Sequence, residues 1–94
     1  KCSMDADEKK ADLRALIGTA DAGTAGIYFA MYDQTGRMLD LHRNELVLDG
    51  GLKEEYAALF YKTGQIPSHF RIFLLSEADG LVPLIEPLVF LLPD

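Results

Sequence analysis

The stretch Gly26-Ile27-Tyr28-Phe29-Ala30-Met31-Tyr32-Asp33-Gln34-Thr35-Gly36-Arg37 decides the fold. Side chains of an extended chain alternate with period two, so Ile27, Phe29 and Met31 share one face while Tyr28, Ala30 and Tyr32 share the other. Both faces are apolar or aromatic. That pattern suits a central strand covered on both sides better than an edge strand with one wet face. The run then meets Asp33-Gln34-Thr35-Gly36, where an aspartate can cap a tight loop by accepting backbone N–H groups and a glycine can take the positive φ that closes it. A covered strand followed by a hairpin turn points to the all-β class.

Working outward, the same alternation recurs between glycine-bearing turns. Leu39 and Leu41 alternate with Asp40 and His42, whereas Leu46 and Leu48 follow with the opposite parity after Arg43-Asn44; this predicts a bulge or bend there. Asp49-Gly50-Gly51 is the next turn. Tyr56, Ala58 and Phe60 then oppose Ala57, Leu59 and Tyr61. Glu54, Glu55 and the alanines would also suit a helix, but Gly51 and Thr63-Gly64 leave only a strand-sized piece. After Pro67, Phe70, Ile72 and Leu74 alternate with Arg71, Phe73 and Leu75 in a second strand covered on both faces. The closing LVPLIEPLVFLL, residues 81–92, contains Pro83 and Pro87, which cannot donate to a ladder, so it should be an edge or be broken at a bulge.

Upstream, Leu13, Ala15 and Ile17 alternate with Asp12, Arg14 and Gly18, which favours a strand. The alternative is a helix, since Asp5 and Glu8 have capping-box spacing and Ala11, Leu13, Ala15 and Leu16 are good helix formers. The expected architecture is an antiparallel β-sandwich of six to seven strands over residues 11–94, preceded by a polar tail or linker over residues 1–10. The expected inward residues are Leu13, Ile17, Ile27, Phe29, Met31, Leu39, Leu41, Phe70, Ile72 and Leu74.

Composition narrows the function classes. At 94 residues there is material for one core only. A net charge of −6, with nine Lys and Arg scattered along the chain, leaves no basic stripe to neutralise phosphates, so nucleic acid is not an expected partner. No apolar run, Leu88 to Leu92 included, approaches the ~20 residues of a membrane span, and no membrane insertion is expected. Cys2 is the single cysteine, which rules out an internal disulfide; a trivial tail thiol is a better reading of it than a lipid-bearing cysteine. The hydrophobic share of 49% is high for so small a body and suggests that some surface is covered by a neighbour.

Catalytic signatures are missing: there is no glycine-rich phosphate loop, no HExxH, no GxSxG and no calcium loop of alternating acids. His42 and His69 could pair only with Ser68, Ser76 or Cys2, none of them at an identifiable nucleophile elbow. Asp33, Asp40, Asp49, Glu77, Asp79 and Glu86 could in principle gather around Ca²⁺, but turn chemistry accounts for Asp33, Asp49 and Asp79 without an ion. Tyr28, Tyr32, Tyr56 and Tyr61 are the candidate contact residues, because rings on strand faces could form a platform for sugar rings or a partner. No catalytic, cofactor or metal residues are expected.

Two stretches carry a family likeness. Ala30-Met31-Tyr32-Asp33-Gln34-Thr35-Gly36-Arg37-Met38 resembles a hairpin of small immunoglobulin-like or fibronectin III-like modules found in secreted multidomain proteins of Gram-positive gut bacteria. Phe70-Arg71-Ile72-Phe73-Leu74-Leu75-Ser76, followed by Val82-Pro83-Leu84, is similar to their other signature, with Leu75 and Ser76 where those modules carry tryptophan and aspartate. The resemblance implies an extracellular or cell-surface location and a non-catalytic accessory role as spacer or protein-contact domain. Its partners would be neighbouring domains or another protein surface. A carbohydrate-binding module using the tyrosines is the alternative.

Overall fold

The computed structural model describes residues 2–18, 22–78 and 80–92. They form an all-β sandwich with eight strands: β1 (Cys2–Asp5), β2 (Lys10–Gly18), β3 (Ala22–Tyr32), β4 (Met38–Asp49), β5 (Leu52–Phe60), β6 (His69–Ser76), β7 (Val82–Pro83) and β8 (Leu88–Leu91). Sheet A has the order β1-β2-β5, and sheet B has the order β4-β3-β6 with β7 and β8 both paired to the far edge of β6. All of these pairings are antiparallel. The chain changes sheet between β2 and β3, between β4 and β5, and between β5 and β6.

The core lies between the sheets. Ala11, Leu13, Ala15 and Ile17 of β2 and Ala57 and Leu59 of β5 face Ile27, Phe29 and Met31 of β3 and Phe70, Ile72 and Leu74 of β6. No polar side chain is buried among the described residues, so hydrophobic burial operates here without the desolvation cost that a buried polar group would add. β3 is central as expected, paired with β4 on one side and β6 on the other.

Turn chemistry follows the residues. Asp33 Oδ1 accepts N–H bonds from Thr35 at 2.9 Å and Arg37 at 3.0 Å, and Gly36 closes the β3–β4 loop at φ +87°. Asp49 Oδ1 caps Gly51 N–H at 3.0 Å, with Gly50 at φ +83°. That turn joins a strand of one sheet to a strand of the other. Asp5 likewise accepts from the N–H groups of Asp7 and Glu8, ending β1 rather than starting a helix.

Three expectations need correction. Where a polar tail was expected, Cys2–Asp5 form β1, hydrogen-bonded along β2, and Cys2 packs against the core. The bulge is real but lies at the start of β4: Met31 pairs with Asp40 and Tyr32 with Met38, which leaves Leu39 as the extra residue. From Asp40 onward the β3–β4 ladder is unbroken, so there is no bulge at Arg43-Asn44. Leu39 is half-buried against the core, but Leu41 falls on the outer face and is 49% exposed. It lies beside Ala30, which is covered without belonging to the core cluster.

The inward parity of β4 therefore carries Asp40, His42 and Asn44 before Leu46 and Leu48. These polar residues mark the seam where the free edges of the two sheets meet. Asn44 Nδ2 donates to the Tyr56 carbonyl at 3.0 Å, and Asp40 Oδ2 accepts the Phe60 N–H at 2.8 Å. The sheets are stitched there by side chains instead of a ladder. At the opposite end the C-terminal segment is broken as its prolines require: Pro83 pairs with Leu75 in β7, and Pro87 precedes β8.

Replacing Phe29 or Ile72 by Ala should cost about 2–5 kcal/mol in urea denaturation, whereas Leu41→Ala should cost under about 1 kcal/mol. A Leu41 cost equal to that of Leu46→Ala would mean that the β4 parity is reversed.

Candidate functional site

The outer face of sheet B concentrates the residues able to make specific contacts. β3 presents Tyr28, Ala30 and Tyr32; β4 presents Leu41, Arg43, Glu45 and Val47; β6 presents His69, Arg71, Phe73 and Leu75; β8 presents Val89 and Leu91. Register sorts them into cross-strand rows. Arg43, Tyr28 and Phe73 form one row, Leu41, Ala30, Arg71 and Val89 the next, and Tyr32, His69 and Leu91 the last.

Within this face the rings and cations are layered. The Arg43 guanidinium lies 6.0 Å from the centroid of Tyr28, and that of Arg71 lies 5.6 Å from the centroid of Tyr32. Tyr32 stacks on His69 with centroids 5.1 Å apart and an interplanar angle of 11°. A guanidinium over a ring is an attractive, geometrically tolerant contact.

Glu77, just after β6, organises one end of the face. Its carboxylate takes a bidentate pair from Arg43 through Nε and Nη2, and it accepts the Tyr28 hydroxyl. The Arg43 and Tyr28 bonds hold the Glu77 carboxyl well below its ordinary 4.5, at about 2, while the same hydrogen bond raises the Tyr28 phenol. Gly26 leaves room for this arrangement: a Cβ there would lie 2.8 Å from the Tyr28 ring and 2.9 Å from the Glu77 carboxyl.

The four tyrosines do not converge. Tyr28 and Tyr32 share sheet B, whereas Tyr56 lies on the outer face of sheet A, where its hydroxyl donates to Asp12 and the Arg14 guanidinium lies 5.8 Å from its ring centroid. Tyr61 packs partly buried against the core, with its N–H bonded to the Lys9 carbonyl. Sequence alternation placed Tyr28 with Tyr32 correctly, but it carries no information on which sheet a later strand joins. Arg43, Arg71, His69 and Glu77 escaped notice as contact residues because their partners are long-range.

Four of the six acids weighed as calcium ligands are engaged elsewhere. Asp33 and Asp49 cap turns, Asp40 holds the seam and Glu77 holds Arg43; Glu86 is exposed, and Asp79 lies outside the described residues. Among the described residues, no three His, Cys, Asp or Glu side chains gather in a way that could hold a metal ion. The shallow clefts on the sandwich include one of about 320 Å³ between the Asp33–Arg37 loop and Gly64-Gln65-Ile66, one of about 330 Å³ lined by Ser3, Asp12, Arg14 and Tyr56, and one of about 350 Å³ lined by Arg14, Ala15, Leu16 and Glu54. Comparison with protein-family models, curated proteins and solved structures finds no match.

Because the folded-state pKa of Glu77 lies below its unfolded value, its contribution to stability is fully present above pH 4.5 and disappears as pH falls to about 2. Asp33 and Asp49 are lowered in the same direction by their turn bonds, so the wild type alone cannot isolate Glu77. In Glu77→Gln, stability followed by urea denaturation should fall less steeply between pH 4.5 and 2 than in wild type. Gly26→Ala should show the same flattening, because its Cβ displaces the carboxylate. Parallel curves for all three proteins would show that the Arg43–Glu77–Tyr28 cluster contributes nothing to stability.

Proposed function

We infer that the chain is a non-catalytic accessory β-sandwich module, of immunoglobulin-like or fibronectin III-like type, that works by contact between its sheet faces and neighbouring protein surfaces. The reading places it in a larger secreted or cell-surface protein. The observation that carries it is the exposure of β8: Val89 is 55% and Leu91 77% exposed on the same face as Leu41. Isolated exposed leucines need no explanation, but here they lie in register with Arg71 and Tyr32 on one sheet face.

The composition of that face also supports contact. It carries arginines and aromatic rings but no lysine, the bias of the buried centre of protein interfaces. The strand order supports the module type: β1, β2 and β5 correspond to the A, B and E strands of an immunoglobulin-type sandwich, and β3, β6 and β8 correspond to C, F and G. A glycan platform has less support, since arginines already lie over Tyr28, Tyr32 and Tyr56 and the rings are divided between two faces.

Hydroxyl-radical footprinting of the isolated chain and of its intact gene product tests this reading. Leu41, Val89 and Leu91 should be oxidised in the isolated chain and protected at least several-fold in the larger protein. Equal oxidation in both would favour an inert spacer.

A further inference from the structure

A two-residue turn between antiparallel strands ordinarily closes a β-hairpin, yet Gly50-Gly51 joins strands of different sheets. Gly50 takes φ +83° and Gly51 has no positive φ, which is the φ pattern of a type II′ hairpin turn between Asp49 and Leu52. Counted back from that turn, a β4–β5 ladder would set Glu45 opposite Tyr56, Arg43 opposite Ala58 and Leu41 opposite Phe60. The seam bonds fall at two of these places. Asp40 Oδ1 accepts the Leu41 N–H at 2.9 Å and its Oδ2 accepts the Phe60 N–H at 2.8 Å, so one carboxylate stands between two residues that would otherwise bond each other. Asn44 Nδ2 donates to the Tyr56 carbonyl, the group that would accept from Glu45. A carbonyl can only accept, which leaves Asn44 Oδ1 to take the His42 Nε2–H at 2.8 Å.

We propose that β4 and β5 are a latent hairpin, held open by the side chains of Asp40, His42 and Asn44. All three lie on the inward parity of β4. A closed ladder would press His42 and Asn44 against Leu59 and Ala57 of the core and draw the Asp40 carboxylate inward, at the desolvation cost of a buried charge. With these side chains in the gap the molecule is a sandwich, and among the described residues no backbone bond across the seam reaches the Arg43 or Ala58 N–H. With apolar residues in their place, the edges of sheets A and B would zip together from the Gly50-Gly51 turn. The device sets whether the module keeps an open sheet edge, the kind that accepts a foreign strand. It stands independently of the contact reading above, which concerns sheet faces.

Residue-resolved amide exchange on the whole chain, read by nuclear magnetic resonance, tests the proposal. In the wild type the Leu41 and Phe60 amides should be protected about tenfold or more above those of Arg43 and Ala58. Equal protection of all four would overturn the proposal. In the triple variant Asp40→Val, His42→Val, Asn44→Val, the Arg43 and Ala58 amides should gain about tenfold or more in protection. A close Hα–Hα contact between positions 42 and 59 should appear with it, as in a non-hydrogen-bonded antiparallel pair. A folded triple variant in which Arg43 and Ala58 exchange as in wild type would overturn the proposal and leave a frayed seam with no latent ladder. Should that variant not fold, Asp40→Asn decides. Its single acceptor oxygen cannot serve both N–H groups, so Leu41 or Phe60 should lose protection about tenfold or more, whereas wild-type protection of both would overturn the proposal.

Discussion

Everything in this molecule depends on β3, whose inner face is buried and whose two edges are both paired. Its inner residues Ile27, Phe29 and Met31 meet sheet A, and its outer Ala30 is covered by longer neighbours. A strand with a buried inner face and both edges paired has no freedom to slip, because a shift of one residue would expose Phe29 and bury Tyr28. β4 and β6 inherit their register from it. The row pattern of the outer face is therefore a consequence of core packing, not a separate design.

The same constraint explains the polar seam. Once β4 is locked to β3 beyond its bulge, its inward parity runs past the edge of sheet A, where there is no apolar layer to meet it. Asp40, His42 and Asn44 occupy those positions, and two of them satisfy backbone groups of β5. An edge strand with unpaired N–H and C=O groups invites association with other chains, and side-chain bonds at the seam occupy two such groups of β5, the Tyr56 carbonyl and the Phe60 N–H. The broken β7–β8 segment, with its two prolines, limits strand addition on the other side.

Much of this was legible in the residues. Alternation in β2, β3 and β6 identified the inward side chains, and the Asp-Gly turns were placed from their chemistry alone. What failed was parity across Leu39. A leucine at a bulge and a leucine on an outer face look alike in a sequence, and only the pairing of Met31 with Asp40 separates them. β1 escaped because Cys2–Asp5 is short and polar, and its pairing partner supplies the order that its own residues do not. The outer face of sheet B was half legible: Tyr28 and Tyr32 could be grouped, but Arg43, Arg71 and Glu77 join them only through cross-strand register and a loop.

Residue-resolved amide hydrogen exchange on the native chain tests the primacy of β3 most directly. If β3 anchors both the core and the outer face, its amides from Ile27 to Met31 should exchange slowest, at rates set by global unfolding, while those of β1 and β8 open earlier. Protection of β1 or β8 equal to that of β3, or faster exchange within Ile27 to Met31 than in β2, would contradict the account.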